Sequence, residues 1–362
     1  MRKITFPHMG FMDIPLKAFF QELGFSVVTP PRITRKTLDL GMKNGPEFAC
    51  LPLKINLGNF IQALDKGANI IVMGGGCGPC RFGYYGEVQR AILKKLGYDF
   101  KMFVIEPGIF RNYRRIKEVF GKIPYKKIYP AAKLAWIKGR VVDRAYRLVL
   151  KNRAREEKSG QVDNIYRDFL RNVDNTASVD KINNYTDEFE KNIKEICSSF
   201  KKDIELNVGI VGEIYLVLEP FVNLEVERKL GKLGVSVEKD IYMTSWLLHF
   251  LHLSSEIDEI KEAAANYLRS FVGGHGLETV GNAVRYARRG FDGVIQLAPF
   301  TCMPEIISQS ILPAVSKKEK IPVLTLFFDE HSADAGLQTR LEAFVDLLVR
   351  KKTGKGETVY GK

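Results

Sequence analysis

The sequence predicts an α/β protein of two doubly wound domains, Rossmann- or flavodoxin-like with parallel sheets, plus a helical insertion. Three observations predict it. Strand-like and helix-like segments alternate in both halves, the halves repeat one plan, and the stretch between them is helical in period and strongly basic.

The first half opens on a strand, Lys3–Phe6, and a loop with Pro7, His8 and Gly10. A helix follows over Pro15–Leu23; Gly24 ends it, and Phe25–Val28 reads as the next strand. Leu53, Leu57, Phe60, Ile61 and Leu64 fall on one helical face, and Ile70–Met73 is a buried strand. A further strand covers Met102–Ile105. The second half repeats this. Asn207–Val211 is a strand, Gly212 and Glu213 begin a loop, a helix runs to about Leu233, and Val235–Val237 is a strand. Beyond it the offset is 223 residues: Gly58-Asn59 matches Gly281-Asn282, Lys66-Gly67 matches Arg289-Gly290, and Ile71-Val72 matches Val294-Ile295. Val294–Leu297 and Val323–Phe328 complete the strands. Helices between consecutive strands imply parallel sheets covered on both faces. The domains expected are 1–110, a helical insertion over 111–205 (Ala131–Arg155 and Asp163–Phe200), 206–350, and a polar tail over 351–362.

With 362 residues and 45% hydrophobic content, the chain can bury a large core. No run approaches the ~20 apolar residues of a membrane span. The N-terminus enters a strand with no cleavable leader pattern, so a soluble, cytoplasmic protein without a membrane partner is expected. The charge of +13 is concentrated: residues 111–160 hold 16 Lys plus Arg against four acids, Glu118, Asp143, Glu156 and Glu157. Such a block suits an acidic partner, a phosphorylated ligand, nucleic acid or simply a solvated helix surface. The chain shows no nucleic-acid-binding motif and no aromatic repeat for base stacking, which argues against nucleic acid.

Five cysteines in a reducing compartment point to metal or redox chemistry rather than disulfides. Cys77 and Cys80 follow the strand Ile70–Met73 through Gly74-Gly75-Gly76; Cys302 follows the equivalent strand Val294–Leu297. Open α/β sheets place their chemistry outside the carboxyl ends of the strands, where facing domains would offer one cleft. Cys50 precedes a helix with an early proline, and a helix N-terminus favours the thiolate. Cys50, Cys77, Cys80 and Cys302 are therefore the candidate metal and cofactor ligands, for an iron–sulfur cluster or for zinc. The bland alternative makes Cys50 and Cys302 small buried hydrophobes. Cys77-Gly78-Pro79-Cys80 also has the spacing of a thioredoxin-type dithiol, although the chain length and sheet plan are not those of thioredoxin. Cys197, alone in the helical insert, reads as structural.

The runs Phe48–Lys54, Gly74–Tyr85 (with Cys77-Gly78-Pro79-Cys80-Arg81-Phe82-Gly83) and Gln296–Glu305 resemble the 2-hydroxyacyl-CoA dehydratase component family. More closely, they are similar to its relatives known as acyl-CoA dehydratase activase-related proteins. The resemblance covers both α/β halves. It implies a 4Fe–4S or related cluster that accepts an electron from an ATP-hydrolysing activator, and a homologous subunit or an acyl-CoA as further partners. In true dehydratases the cluster iron binds the thioester for radical dehydration. Four cysteine ligands would instead saturate a four-iron cluster, and the chain has no Walker or Asp-Gly-Gly phosphate loop. The expectation is thus low-potential electron transfer or reductive chemistry. A CoA-thioester dehydratase or reductase and a dithiol oxidoreductase are the alternatives.

Five other residues are cleft candidates: His8 on the first strand-to-helix loop, Gly75 and Gly76 beside Cys77, and Gly274 and His275, near the counterpart of Cys50 at residue 273. Asp329-Glu330-His331 reads as a capping cluster. Glu305 is expected as a charged partner of a helix dipole.

Overall fold

In a computed structural model, the protein is described over residues 2–76, 78–106, 109–121, 123–198, 205–239, 241–250 and 254–354. The first half runs β1 (Lys3–Thr5), α1 (Asp13–Glu22), β2 (Ser26–Val27), α2 (Arg35–Asn44), α3 (Leu51–Asp65), β3 (Ile70–Gly74), α4 (Tyr85–Lys95) and β4 (Lys101–Ile105). The middle holds α5 (Ile109–Phe120), α6 (Tyr125–Asn152), α7 (Gln161–Asp174) and α8 (Val179–Ser198). The second half runs β5 (Leu206–Gly212), α9 (Ile214–Leu218), α10 (Val226–Lys232), β6 (Val235–Lys239), α11 (Met243–Phe250) and α12 (Glu256–Ala264). It ends with α13 (Gly276–Arg288), β7 (Gly293–Pro299), α14 (Met303–Glu319), β8 (Val323–Phe328) and α15 (Asp334–Lys352).

The two sheets have the same plan, β2-β1-β3-β4 and β6-β5-β7-β8, with every pairing parallel. Each chain half steps outward from its first strand and then crosses back, so the strand order reverses between β1 and β3, and between β5 and β7. Outside the carboxyl ends at that reversal lies the crevice in which doubly wound folds hold ligands. Residue packing divides the chain into Met1–Arg140 with Val272–Gly274 (unit 1) and Val141–Phe271 with His275–Lys362 (unit 2).

In unit 1, alternate residues of β3 serve two cores. Ile71 and Met73 pack with the α3 stripe Leu53, Leu57, Phe60, Ile61 and Leu64. Ile70 and Val72 pack on the other face with Ile4, Phe6, Phe20, Phe103 and Phe120. Each fully buried side chain of this size contributes ~1.5–3 kcal/mol. The duplicated Gly-Asn pair sets helix against helix. A Cβ on Gly58 of α3 would lie 1.9 Å from the Thr37 carbonyl oxygen of α2, and one on Gly281 of α13 would lie 2.4 Å from that of Ile260 in α12.

One expected helix is broken. The segment from Glu213 to Leu233 forms α9 and α10, because Pro220 and the left-handed Leu224 and Glu225 interrupt it. Buried Asn223 satisfies both broken ends, donating to the Leu216 carbonyl (2.7 Å) and accepting from Val226 N–H (3.2 Å). In unit 2 the insert helices build an aromatic layer of Tyr146, Tyr166, Phe169 and Phe189. Against it lies a buried ion pair, Lys239 to Glu227 at 2.8 Å, with Tyr146 donating to Glu227 (3.0 Å). No described helix is long and apolar enough to cross a membrane.

Candidate functional site

At the carboxyl end of the first sheet, Gly75 N–H donates to the Ile105 carbonyl (2.8 Å), carrying the β3–β4 pairing one residue past the strand. Gly76 follows, packed on Gly83 and Phe82; Cys77 lies outside the described residues. Cys80 is the N-cap of a short 3-10 turn, Arg81–Tyr84, that leads into α4. Cys50 is the N-cap of α3, with extended backbone, Pro52 in the first turn and 8% exposure. Two hydrogen bonds tie these loops together: the Cys50 Sγ pairs with the Tyr85 hydroxyl, and Arg81 Nη1 donates to the Phe48 carbonyl (3.0 Å).

His8 sits where the same crevice begins. Its N–H donates to Asn59 Oδ1 (3.1 Å), while Asn59 Nδ2 donates to the Pro31 carbonyl (2.7 Å), so one buried amide pins the first strand-to-helix loop. Gly273 and Gly274 belong to this unit. A Cβ on Gly273 would stand 2.9 Å from Cys80 N and from Pro79 Cγ, and its φ is +87°. Only glycine combines that backbone with that approach.

At the carboxyl end of the second sheet, Cys302 is the N-cap of α14, again with extended backbone, 8% exposure and a proline, Pro304, in the first turn. The residue before it, Thr301, has φ +67°, a conformation a β-branched side chain rarely adopts. Two bonds hold the turn there, Phe300 N–H to the Phe328 carbonyl (2.8 Å) and Cys302 N–H to the Pro299 carbonyl (3.0 Å). Strain held in place beside a crevice is a common mark of a functional position.

Glu305, three residues on, departs from the sequence expectation. It is fully buried, accepting from Gln296 Nε2 (2.9 Å) and from the Thr279 hydroxyl (3.0 Å), and Thr325 donates in turn to Gln296 (2.9 Å). Burial pushes its carboxyl up to about 8, with nearby Glu213 and Glu278 adding to the rise. At neutral pH it is therefore a neutral acid and not the charged dipole partner expected. Glu213, the N-cap of α9, accepts from Leu216 N–H (3.1 Å), and burial pushes it up to about 7. His275 caps α13 as Cys50 caps α3, and burial holds its imidazole below the usual histidine value. Sequence reasoning missed Tyr85, Thr279 and Gln296. Gln296 interrupts the apolar run Val294–Ala298, where an uncharged polar residue was the available clue; Thr279, next to Glu278, carried none.

Elsewhere, Cys197 Sγ donates to the Asn152 carbonyl (3.7 Å), and Asp329 accepts from His331 N–H and the Ser332 hydroxyl (2.9 Å each), closing a turn. Among the described residues, no group of three or more His, Cys, Asp or Glu forms a metal-holding set. By donor chemistry the described thiols suit an iron–sulfur group: Cys50 and Cys302 are the N-caps of α3 and α14, and Cys80 opens the short 3-10 turn into α4.

Residues 12–73 match the family described as CoA enzyme activase uncharacterised domain (DUF2229). The matched segment runs from the start of α1 to β3 and includes Cys50, Asn59 and the Gly58 contact. It supports an activase-related family for this part of the chain. No curated protein matches the sequence.

Proposed function

We propose that this chain holds an iron–sulfur cluster on Cys50, Cys77 and Cys80, with Cys302 as fourth ligand, and transfers low-potential electrons in activase-related CoA chemistry. One observation carries the reading: Cys50 and Cys302 are the N-caps of α3 and α14, each in a Cys-X-Pro step, and Cys80 opens the short turn into α4, all at carboxyl ends of the duplicated sheets. Such a cluster supplies one-electron chemistry when bound. The chain's own part is to present thiolates at helix ends, to hold the loops that carry them, and to limit water around Cys50 and Cys302. The basic stretch 111–160 suits by its charge an acidic, ATP-hydrolysing activator or CoA phosphates.

Anaerobic purification followed by iron and acid-labile sulfide analysis tests the reading. Iron and sulfide in similar amounts are expected, and stoichiometric zinc without sulfide ends it. Cys77→Ser and Cys302→Ser are expected to abolish the cluster with the fold retained. Cys50→Ser and Cys80→Ser leave an altered one, and Cys197→Ser changes nothing. Full cluster retention in Cys302→Ser removes that residue from the site. A dithiol oxidoreductase would instead depend on Cys77 and Cys80 alone.

A further inference from the structure

We infer that Tyr85 is a positioning residue for the Cys50 ligand, its hydroxyl donating to the sulfur and setting the reduction potential of the group bound there. The inference rests on the cluster reading above and adds a specific residue to it.

The geometry is local to unit 1. Tyr85 is the first residue of α4, five residues after Cys80, and it is 4% exposed. Its ring lies in the same core as Cys50, Leu53 and Met73, and its hydroxyl meets the Cys50 Sγ. Phe82 holds the ring edge-on, with centroids 5.3 Å apart and planes at 68°. The preceding tyrosine, Tyr84, is 67% exposed, so the run of aromatics after Cys80 turns one hydroxyl inward to the sulfur and the other to solvent.

A buried phenol needs a partner for its hydroxyl, and a thiolate is an acceptor only. The direction of the bond follows: with Cys50 ionised as a ligand, Tyr85 donates. A donor to a ligand sulfur withdraws electron density from the metal, stabilises the reduced state and raises the potential. The alternative is a purely structural tie between the two loops. Arg81 already makes such a tie, through the Phe48 carbonyl and without touching sulfur. The two roles separate in the potential, which a structural tie does not tune through hydrogen bonding.

The experiment uses the full chain purified without oxygen, with iron and sulfide measured and the midpoint potential followed by electron paramagnetic resonance. Tyr85→Phe is expected to keep its iron and sulfide while its potential moves negative; Tyr84→Phe, which changes an exposed hydroxyl, keeps the wild-type potential. A wild-type potential in Tyr85→Phe overturns the inference, as does an equal shift in Tyr84→Phe. If Tyr85→Phe does not fold, Phe82→Leu decides. It keeps the hydroxyl but loses the ring edge that orients it, so a smaller negative shift is expected, and no shift overturns the inference. Wild-type protein without labile sulfide overturns the cluster reading and this inference together, an outcome distinct from a loaded protein with an unmoved potential.

Discussion

The carboxyl end of the first sheet carries thiols and glycines, whereas that of the second carries one thiol among buried acids. The two ends share their scaffold. Strand order is the same, and a Gly-Asn step on the third helix of unit 1 recurs on α13 of unit 2, packing against the preceding helix in both. The left-handed residue beside the cysteine is Gly78 in one end and Thr301 in the other. The helix whose N-cap is Cys50 in unit 1 has His275 as its N-cap in unit 2. A duplicated frame thus keeps its packing contacts, which are sterically exacting, while the residues at its strand ends differ in chemistry. The first end gathers cysteines and glycines, and the second encloses carboxyl groups whose burial favours the neutral form.

The largest expected effect tests that second property. Glu305 has an unfolded value near 4.5 and a folded value near 8. The folded state therefore holds a proton that the unfolded state releases between those pH values. The stabilisation is complete below about pH 4.5 and is lost as pH rises toward 8, on the order of 3 kcal/mol by pH 7. Glu305→Gln removes the titrating proton while keeping an acceptor for Gln296 or Thr279. Chemical denaturation at a series of pH values should show a flatter pH dependence in the variant between 4.5 and 8. Equal slopes would show that the acid is charged when folded, and that the contrast between the two ends is smaller than stated.

Much of this frame was legible. Parallel strands buried on both faces read as apolar runs such as Ile70–Met73 and Val294–Leu297, and the glycines between helix and strand punctuate them. α2 was not legible, because Arg35–Asn44 is mostly polar and docks through Thr37, Leu38 and Gly41 with little apolar periodicity. The break between α9 and α10 depends on two left-handed residues, Leu224 and Glu225, that no local preference announces. Cys80 and Cys302 could be singled out from strand-end logic, and Cys50 from the early proline of the helix it precedes. Their neighbours could not: Tyr84 and Tyr85 are adjacent and alike in sequence, and only the onset of α4 decides which of them faces Cys50. The charge state of Glu305 depends on enclosure by α13 and β7, long-range packing that its helix-N-terminal position does not reveal.

The next effect probes the shared contact. In Gly58→Ala the new methyl meets the Thr37 carbonyl oxygen at 1.9 Å; in Gly281→Ala it meets that of Ile260 at 2.4 Å. In both cases a backbone atom has to move. Overpacking of this kind costs about 1–3 kcal/mol, with Gly58→Ala the more damaging because its approach is closer. Thermal unfolding of the two variants checks the order. If Gly281→Ala proved the worse, helix spacing in unit 2 would be the tighter of the two, against the distances.

The smallest effect separates the two asparagines of the repeated step. Asn59 bridges two backbone groups, accepting from His8 N–H and donating to the Pro31 carbonyl, so it fixes the loop at the mouth of the first crevice. Asn282 accepts from the Arg285 guanidinium (2.9 Å), which also reaches Glu256 (3.2 Å). Truncating Asn59 leaves a backbone donor and a backbone acceptor without that partner, at a cost of about 1–3 kcal/mol where they stay shielded from water. Truncating Asn282 removes one bond from an arginine that keeps a carboxylate, a loss of about 0.5–1.5 kcal/mol at most. Asn59→Ala should therefore unfold at lower denaturant than Asn282→Ala, and hydrogen exchange at His8 N–H should speed up in Asn59→Ala alone. Equal destabilisation with unchanged exchange at His8 would mean that the step serves only helix packing in both units. The pinned loop would then be set by the strand end, and the first crevice would owe nothing to Asn59.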